Sequence, residues 1–378
     1  MKKVLVVLIL VLMVLLAEQF ESLRTLSDLR EWRGKYPSSD IVIGVSWPFA
    51  DNQDGVAEGL NLAADELNAH PILGKRIRFA MRDSRFDQNK STAIAMEFVR
   101  SPMVTAVIGY YDDRLAVRAS AVYEQSKLLH VVVGANNTYM TAHGFRYLIR
   151  SALSNYFIGR QLARMFVERG FRKVAVVAEE GVFGEDLAFE FGNALDSLGG
   201  RVVYQRSFVP GLSDFRETSN ELEDAGADAV FFAGYERDGA TFIKRLRGRR
   251  SLTPIVGSFS DTPLMHVIAG AALDGVMFYD IYDSNAPTPQ NRDFVKKYRA
   301  RYGAEPSSYA AQAYDAVRII ANAITATGST NSLDLSYAIR QAPAWEGANG
   351  RYKFDAHGEM AEKPIYLEQF RKPVASRP

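Results

Sequence analysis

Between Ile41 and Phe370, short apolar runs rich in Val and Ile alternate with longer stretches in which apolar residues recur every three or four positions. IVIGVS, closing at Ser46, leads into a helical pattern near Gly55 to Asn68. RIRFAM leads into another near Ser91 to Arg100, and VTAVIGY follows. The rhythm restarts after Ser151 with KVAVVAE near Lys173, RVVYQRSF near Arg201, DAVFFAGY near Asp228 and PIVGS near Pro254. Runs that are apolar throughout suit strands covered on both faces, so the alternation predicts βαβ units around parallel sheets. The chain reads as α/β, with two doubly wound Rossmann-like lobes. Ser213 and Asp261 mark expected helix starts, and Gly170, Gly199 and Gly303 expected helix ends.

Upstream, MKKVLVVLILVLMVLLAEQ joins a basic start to a continuous apolar run from Val4 to Ala17, short for a membrane span but right for a signal h-region. Residues 1–17 are therefore expected to be a signal peptide or signal anchor that places the chain in the periplasm or otherwise outside the cytoplasm. Leu15, two residues before Ala17, fits the small-residue cleavage rule poorly, so retention as an anchor stands beside cleavage. Phe20, Leu23, Leu26, Leu29 and Trp32 then recur about every three residues, which predicts a helical stalk over 18–39.

Composition narrows the function by exclusion. The 378 residues are 47% hydrophobic and 24% charged, enough for about two globular domains. Forty-five Lys and Arg against 44 Asp and Glu leave no field that would attract nucleic acid. The absence of Cys removes disulfides, thiolate metal sites and thiol nucleophiles. No GxSxG, GxxxxGK or HExxH occurs, and His70, His130, His143, His266 and His357 are scattered without ligand spacing. The expectation is a chain that is not an enzyme and carries neither metal nor cofactor. KRLRGRR, 244–250, reads as the solvated carboxyl end of a helix.

In doubly wound sheets, ligands bind beyond the carboxyl ends of the strands, near helix amino termini. The segments there are SWPFADNQD, YYDDR, GANNTY, GVFGED, GYERD and SFSDT, which mix aromatic and polar residues as a small-molecule cleft requires. Asp112 and Asp113 stand where one strand stops and a helix begins. An Asp there suits the N-cap and the positive end of the helix, worth about 1 kcal/mol, so at least one of the two is a capping candidate.

The order of DGVAEGLNLAADELN (54–68), RDSRFDQNKSTAIAMEFV (82–99), VIG (107–109), GANN (134–137), FGEDLA (183–188), SDF (213–215), YAAQAYDAV (309–317) and GRYKFDAHGE (350–359) resembles the type I periplasmic binding proteins. The resemblance is to the branched-chain amino-acid-binding group that serves ABC transporters. It implies two lobes joined by a three-segment hinge, lobe 1 from 40–151 and 280–344 and lobe 2 from 152–279 and 345–370, closing on a small polar ligand.

The resemblance also implies a set of ligand-binding positions. A hydroxyl that would hold the ligand's carboxylate matches Asp113, with Tyr111 beside it and Trp47 on the adjoining strand end. An ionised Asp cannot donate a hydrogen bond, and two like charges about 4 Å apart repel by several kcal/mol when partly desolvated, so a free α-carboxylate is disfavoured there. The second position falls at Ala135 and Asn136, an amide replacing a hydroxyl; a turn Asn satisfying its own loop is the alternative. Phe183 and Tyr235 match aromatics of the second lobe. The acid facing the ligand amine falls among Phe259, Ser260 and Asp261; Asp261 either meets the amine or caps the following helix. The ligand expected is an amino acid or a related amide or amine, and the expected partner is an ABC permease or, with a retained anchor, a membrane signalling protein.

Overall fold

Each of the apolar runs named between Ile41 and Phe370 becomes a strand. The computed structural model describes residues 40–50 and 54–370, with isolated positions upstream. The segments expected as signal (1–17) and stalk (18–39) lie outside the described residues except for those positions. Among them is Arg30, whose guanidinium is buried and donates to the Ser126 carbonyl at 3.1 Å. Among the described residues, no helix is long and apolar enough to cross a membrane.

The chain divides into two units. One holds the residues through Ala135, Tyr139–Ala152 and Ser284–Ala361; the other holds Asn136–Thr138, Leu153–Asp283 and the residues from Glu362. In the first, β1 (Ile41–Trp47), β2 (Ile77–Asp83), β3 (Val104–Ile108), β4 (Leu129–Val132) and β5 (Leu148–Arg150) form a parallel sheet in the order β2-β1-β3-β4-β5. Helices α1 (Val56–Asn68), α2 (Gln88–Arg100) and α3 (Asp113–Gln125) connect its strands. After α4 (Asn155–Glu168), the second unit repeats the order with β6 (Lys173–Glu179), β7 (Arg201–Phe208), β8 (Ala229–Ala233), β9 (Ile255–Gly257) and β10 (Met277–Asp280), linked by helices that include α5 (Val182–Ser197), α6 (Arg216–Asp224) and α7 (Glu236–Gly248). An antiparallel edge strand, β13 (Tyr366–Gln369), pairs with β10.

Strands β1, β3, β4, β6 and β8 are buried almost throughout, which explains their unbroken apolar runs. The first unit's core gathers Phe98, Tyr110, Leu115, Tyr123 and Leu148. The second unit's core is a ring cluster of Phe208, Phe215, Phe232, Phe242, Phe259 and Phe370.

Helix ends follow the expected signals more closely than helix starts do. Gly303 takes φ 67°, a conformation that favours glycine, and its N–H returns to the Arg299 carbonyl. The helix expected to start at Ser213 instead begins at Arg216, because Phe215 adopts φ 57° and the Ser213 hydroxyl turns back to the Val209 carbonyl. The helix expected from Asp261 begins at Pro263, with Thr262 at the N-cap and Pro in the first turn.

The segment 345–361, expected with the second lobe, lies in the first unit. Its hairpin, β11 (Trp345–Gly347) with β12 (Gly350–Tyr352), is tied to the helix Ser308–Thr327 by the buried Asp315, which accepts from the Ala348 and Asn349 N–H groups at 2.8 and 2.7 Å. Beyond the hairpin, Glu359 forms an ion pair with Arg150, whose side chain is 1% exposed.

Candidate functional site

In a sheet of order 2-1-3-4-5 the connections reverse direction between the first and third strands, and the carboxyl ends of those strands flank a crevice. In the first unit the reversal lies between β1 and β3. Trp47 ends β1 and is fully buried; Tyr111 follows β3, just before α3. Their rings meet edge to face at 5.5 Å, and Tyr309 joins them at 5.6 Å from Trp47 and 5.3 Å from Tyr111. Phe86 packs on Tyr111 at 5.3 Å. Tyr309 and Phe86 were not among the residues singled out from sequence. Tyr309 is the second residue of a helix capped by Ser307, whose hydroxyl accepts from the Ala310 N–H, and that cap was the available signal.

Two contacts fix this wall. The Trp47 indole N–H donates to Asp54 Oδ2 at 2.9 Å, while Asp54 Oδ1 accepts from the Val56 N–H at the start of α1. Burial pushes the Asp54 carboxyl up to about 7. On the other side, Gly134 has φ +95°, and a Cβ there would lie 2.9 Å from Trp47 Cη2, so glycine lets the backbone pass the indole.

The acidic pair divides as one cap and one buried neighbour. Asp112 is the N-cap of α3, accepting from the Arg114 N–H at 2.8 Å and pairing with the Arg114 guanidinium at 2.9 Å. Asp113 is the first helical residue and is 2% exposed. Ala135 sits in the core beside Tyr110 and Leu115. Tyr110 is likewise buried, its hydroxyl 2.9 Å from that of Tyr123. His130 is structural: its Nε2–H donates to the Gly109 carbonyl at 2.8 Å, and burial pushes its pKa down to about 4.

In the second unit the reversal lies between β6 and β8. Phe183 opens α5 and Tyr235 precedes α7, and their rings stack at 5.0 Å with an interplanar angle of 25°. Asn136 is engaged in its own loop, its amide donating to the Leu153 carbonyl and its carbonyl accepting from the Asn155 N–H. Asp186 of α5 gathers the neighbouring chain, accepting from the Thr138 N–H at 2.8 Å and the Asn155 amide at 2.9 Å.

The expected acid near β9 is arranged differently. Phe259 is a core ring, 1% exposed. Asp261 is about half exposed and pairs with His266 Nε2 at 2.6 Å. The carboxylate that does reach this strand end belongs to Glu236, the first residue of α7, whose Oε1 accepts from the Ser260 N–H at 3.2 Å. It was missed because it stands one strand earlier in the chain, although acids in a first helical turn are a recognised signal. Thus Trp47 with Tyr111, and Phe183 with Tyr235, are brought together at strand ends, while Ala135 is buried, Asn136 bonds to the Leu153 carbonyl and Asp261 pairs with His266.

A family profile described as periplasmic binding protein matches residues 41–373. A Leu/Ile/Val-binding protein homolog 2 of Brucella abortus is 25% identical over 88% of this chain and 91% of its own length. Among solved structures, an ABC transporter substrate-binding protein from Desulfitobacterium hafniense in complex with Leu superposes with a TM-score of 0.80 at 26% identity, over 88% of this chain and 98% of that one. A solute-binding protein from R. palustris in complex with 4-hydroxybenzoate has a TM-score of 0.76 at 21% identity, over 89% and 94% of the two chains, and shares the fold.

Proposed function

This chain belongs to the periplasmic binding protein family, and from that membership we propose that it captures an amino-acid-derived amide or amine and delivers it to an ABC permease. It is a binding protein and not an enzyme. The observation that supports the ligand class is an aromatic pair at each strand-order reversal, Trp47 with Tyr111 two residues before the buried Asp113, and Phe183 stacked on Tyr235. The Leu-bound relative supports an amino-acid skeleton. The buried Asp113, at the position where the family resemblance implies a hydroxyl, disfavours a free α-carboxylate and favours an end that donates hydrogen bonds.

A ligand held by residues of both units would stabilise a closed form, because only contacts that differ between two forms shift their equilibrium. A permease could then read closure. Family membership implies an extracytoplasmic location; the run from Val4 to Ala17 is proposed as the export signal. Should that run stay attached, as the poor cleavage match at Leu15 favours, a membrane-tethered sensor is the second reading.

Thermal melts with leucine, leucinamide and isoamylamine test the ligand class. Ligand at about 100 times its Kd adds roughly 2.7 kcal/mol of stability, a rise of several degrees. Leucinamide or isoamylamine should raise the melting temperature and leucine should not, while Asp113→Ser should admit leucine. A large rise with leucine, unaltered by Asp113→Ser, overturns the argument against a carboxylate.

A further inference from the structure

Upstream of the first sheet, a buried charge ties the chain to the first unit. Asp28, Leu29 and Arg30 are helical. Leu29 and Trp32, which belong to the apolar stripe expected of a stalk, are 41 and 56% exposed, whereas Arg30 between them is 8% exposed. The buried side chain here is the cation. Its guanidinium donates to the carbonyls of Val99, Ser101 and Ser126, the last two at 3.4 and 3.1 Å. Ser101 is the C-cap residue of α2 and Ser126 that of α3.

The last carbonyls of a helix lack partners within it and carry the negative end of its dipole, so one cation that donates to two helix ends serves both. A guanidinium suits the task because its N–H groups form a planar fork. Burying the charge is costly without such acceptors, and the fork therefore favours this one seat. Helix α2 leads into β3 and α3 into β4, so these carboxyl ends lie at the amino edge of the parallel sheet. Trp47 and Tyr111 stand at the opposite, carboxyl edge.

We propose that the segment carrying Arg30 is a fixed part of the first unit, docked across the carboxyl ends of α2 and α3 and held there by the Arg30 guanidinium. The docking goes beyond the solute-binding reading and is independent of which solute is taken. It does bear on the tethered alternative: a leader that stays attached enters the first unit at the amino edge of its sheet, which leaves the aromatic crevice at the other edge open to solute. A free linker needs no such residue. A segment packed by its apolar stripe alone tolerates methionine at position 30, because methionine supplies an apolar side chain of comparable length without the charge.

The test takes the exported protein, produced from the full chain, and follows backbone hydrogen exchange by mass spectrometry. In wild type, peptides covering 26–32 should exchange at least about 100-fold more slowly than an unstructured chain. Arg30→Met should speed exchange about tenfold or more over the same peptides and in the last turns of α2 and α3, while β6 of the second unit stays within about twofold of wild type. Arg30→Lys, which keeps the charge but loses the fork, should protect these amides less than wild type and more than Arg30→Met. If the wild-type peptides exchange at the unstructured rate, the segment is a free linker and the docking is overturned. Amino-terminal sequencing that places the start of the exported protein beyond Arg30 overturns it as well. Exchange at both helix ends within about twofold of wild type in Arg30→Met overturns the part given to the guanidinium. The two wild-type measurements decide the docking even if Arg30→Met folds poorly.

Discussion

Asp54 joins the end of the first strand to the first helix through two neutral donors, and burial pushes its carboxyl up to about 7. In the unfolded chain the same group titrates near its ordinary value of about 4. Between roughly pH 4 and 7 the unfolded chain therefore gives up a proton that the folded chain keeps, so stability is greatest below that window, falls as pH rises through it, and levels off above. Asp54→Asn imitates the protonated form. Relative to wild type the variant should gain stability from pH 4 to 7, by up to a few kcal/mol, as read from urea unfolding at a series of pH values. Parallel curves would mean that Asp54 titrates normally. At this scale sequence goes part of the way. That one of Asp112 and Asp113 caps a helix follows from residue type, but which one does depends on where α3 begins, and the backbone chose Asp112. Trp47 and Tyr111 could be placed at strand ends; their contact with Tyr309 could not, because it lies far along the chain from both and only packing brings them together.

Strands and helices were legible wherever burial leaves a local periodic trace, as in IVIGVSW or AVFFA. The segment 345–361 was not, because its contacts with the first unit are long-range in sequence, among them Asp315 with the hairpin turn and Arg150 with Glu359. The second contact makes a prediction. Arg150 is almost wholly buried, and Glu359, which also accepts from the Thr141 hydroxyl at 2.7 Å, is its paired carboxylate. Removing one member of a buried pair leaves an uncompensated charge, at a cost of about 3–5 kcal/mol, whereas replacing both by apolar residues costs much less. Glu359→Ala should lower unfolding stability by that amount, and Arg150→Met combined with Glu359→Leu should recover most of it. Equal losses in the single and double variants would show that packing of the segment, rather than charge pairing, holds it in place.

The two units each carry the strand order 2-1-3-4-5 and a separate core, and that duplication was readable in the restart of the apolar rhythm after Ser151. The points where the chain changes unit were less readable, since no composition shift marks Ala152, Asp283 or Ala361. A binding protein that opens and closes benefits from lobes that stay folded while the segments joining them bend, which requires each core to be stable by itself. The second unit's core includes Phe232, fully buried, with the Phe208 and Phe242 rings stacked on it at 5.2 and 5.1 Å. Phe232→Ala should cost about 3–5 kcal/mol, enough to lower the melting of that unit by about 10 °C. Scanning calorimetry of the ligand-free variant should therefore resolve two transitions, one displaced downward and the other within about 2 °C of wild type. Leucinamide at saturation should raise the transition of each unit that contributes residues to its binding, because a ligand stabilises only the folded part that holds it. A single transition that moves as a whole would mean that the units fold as one cooperative body, and the motion proposed for ligand capture would then have to arise within that body.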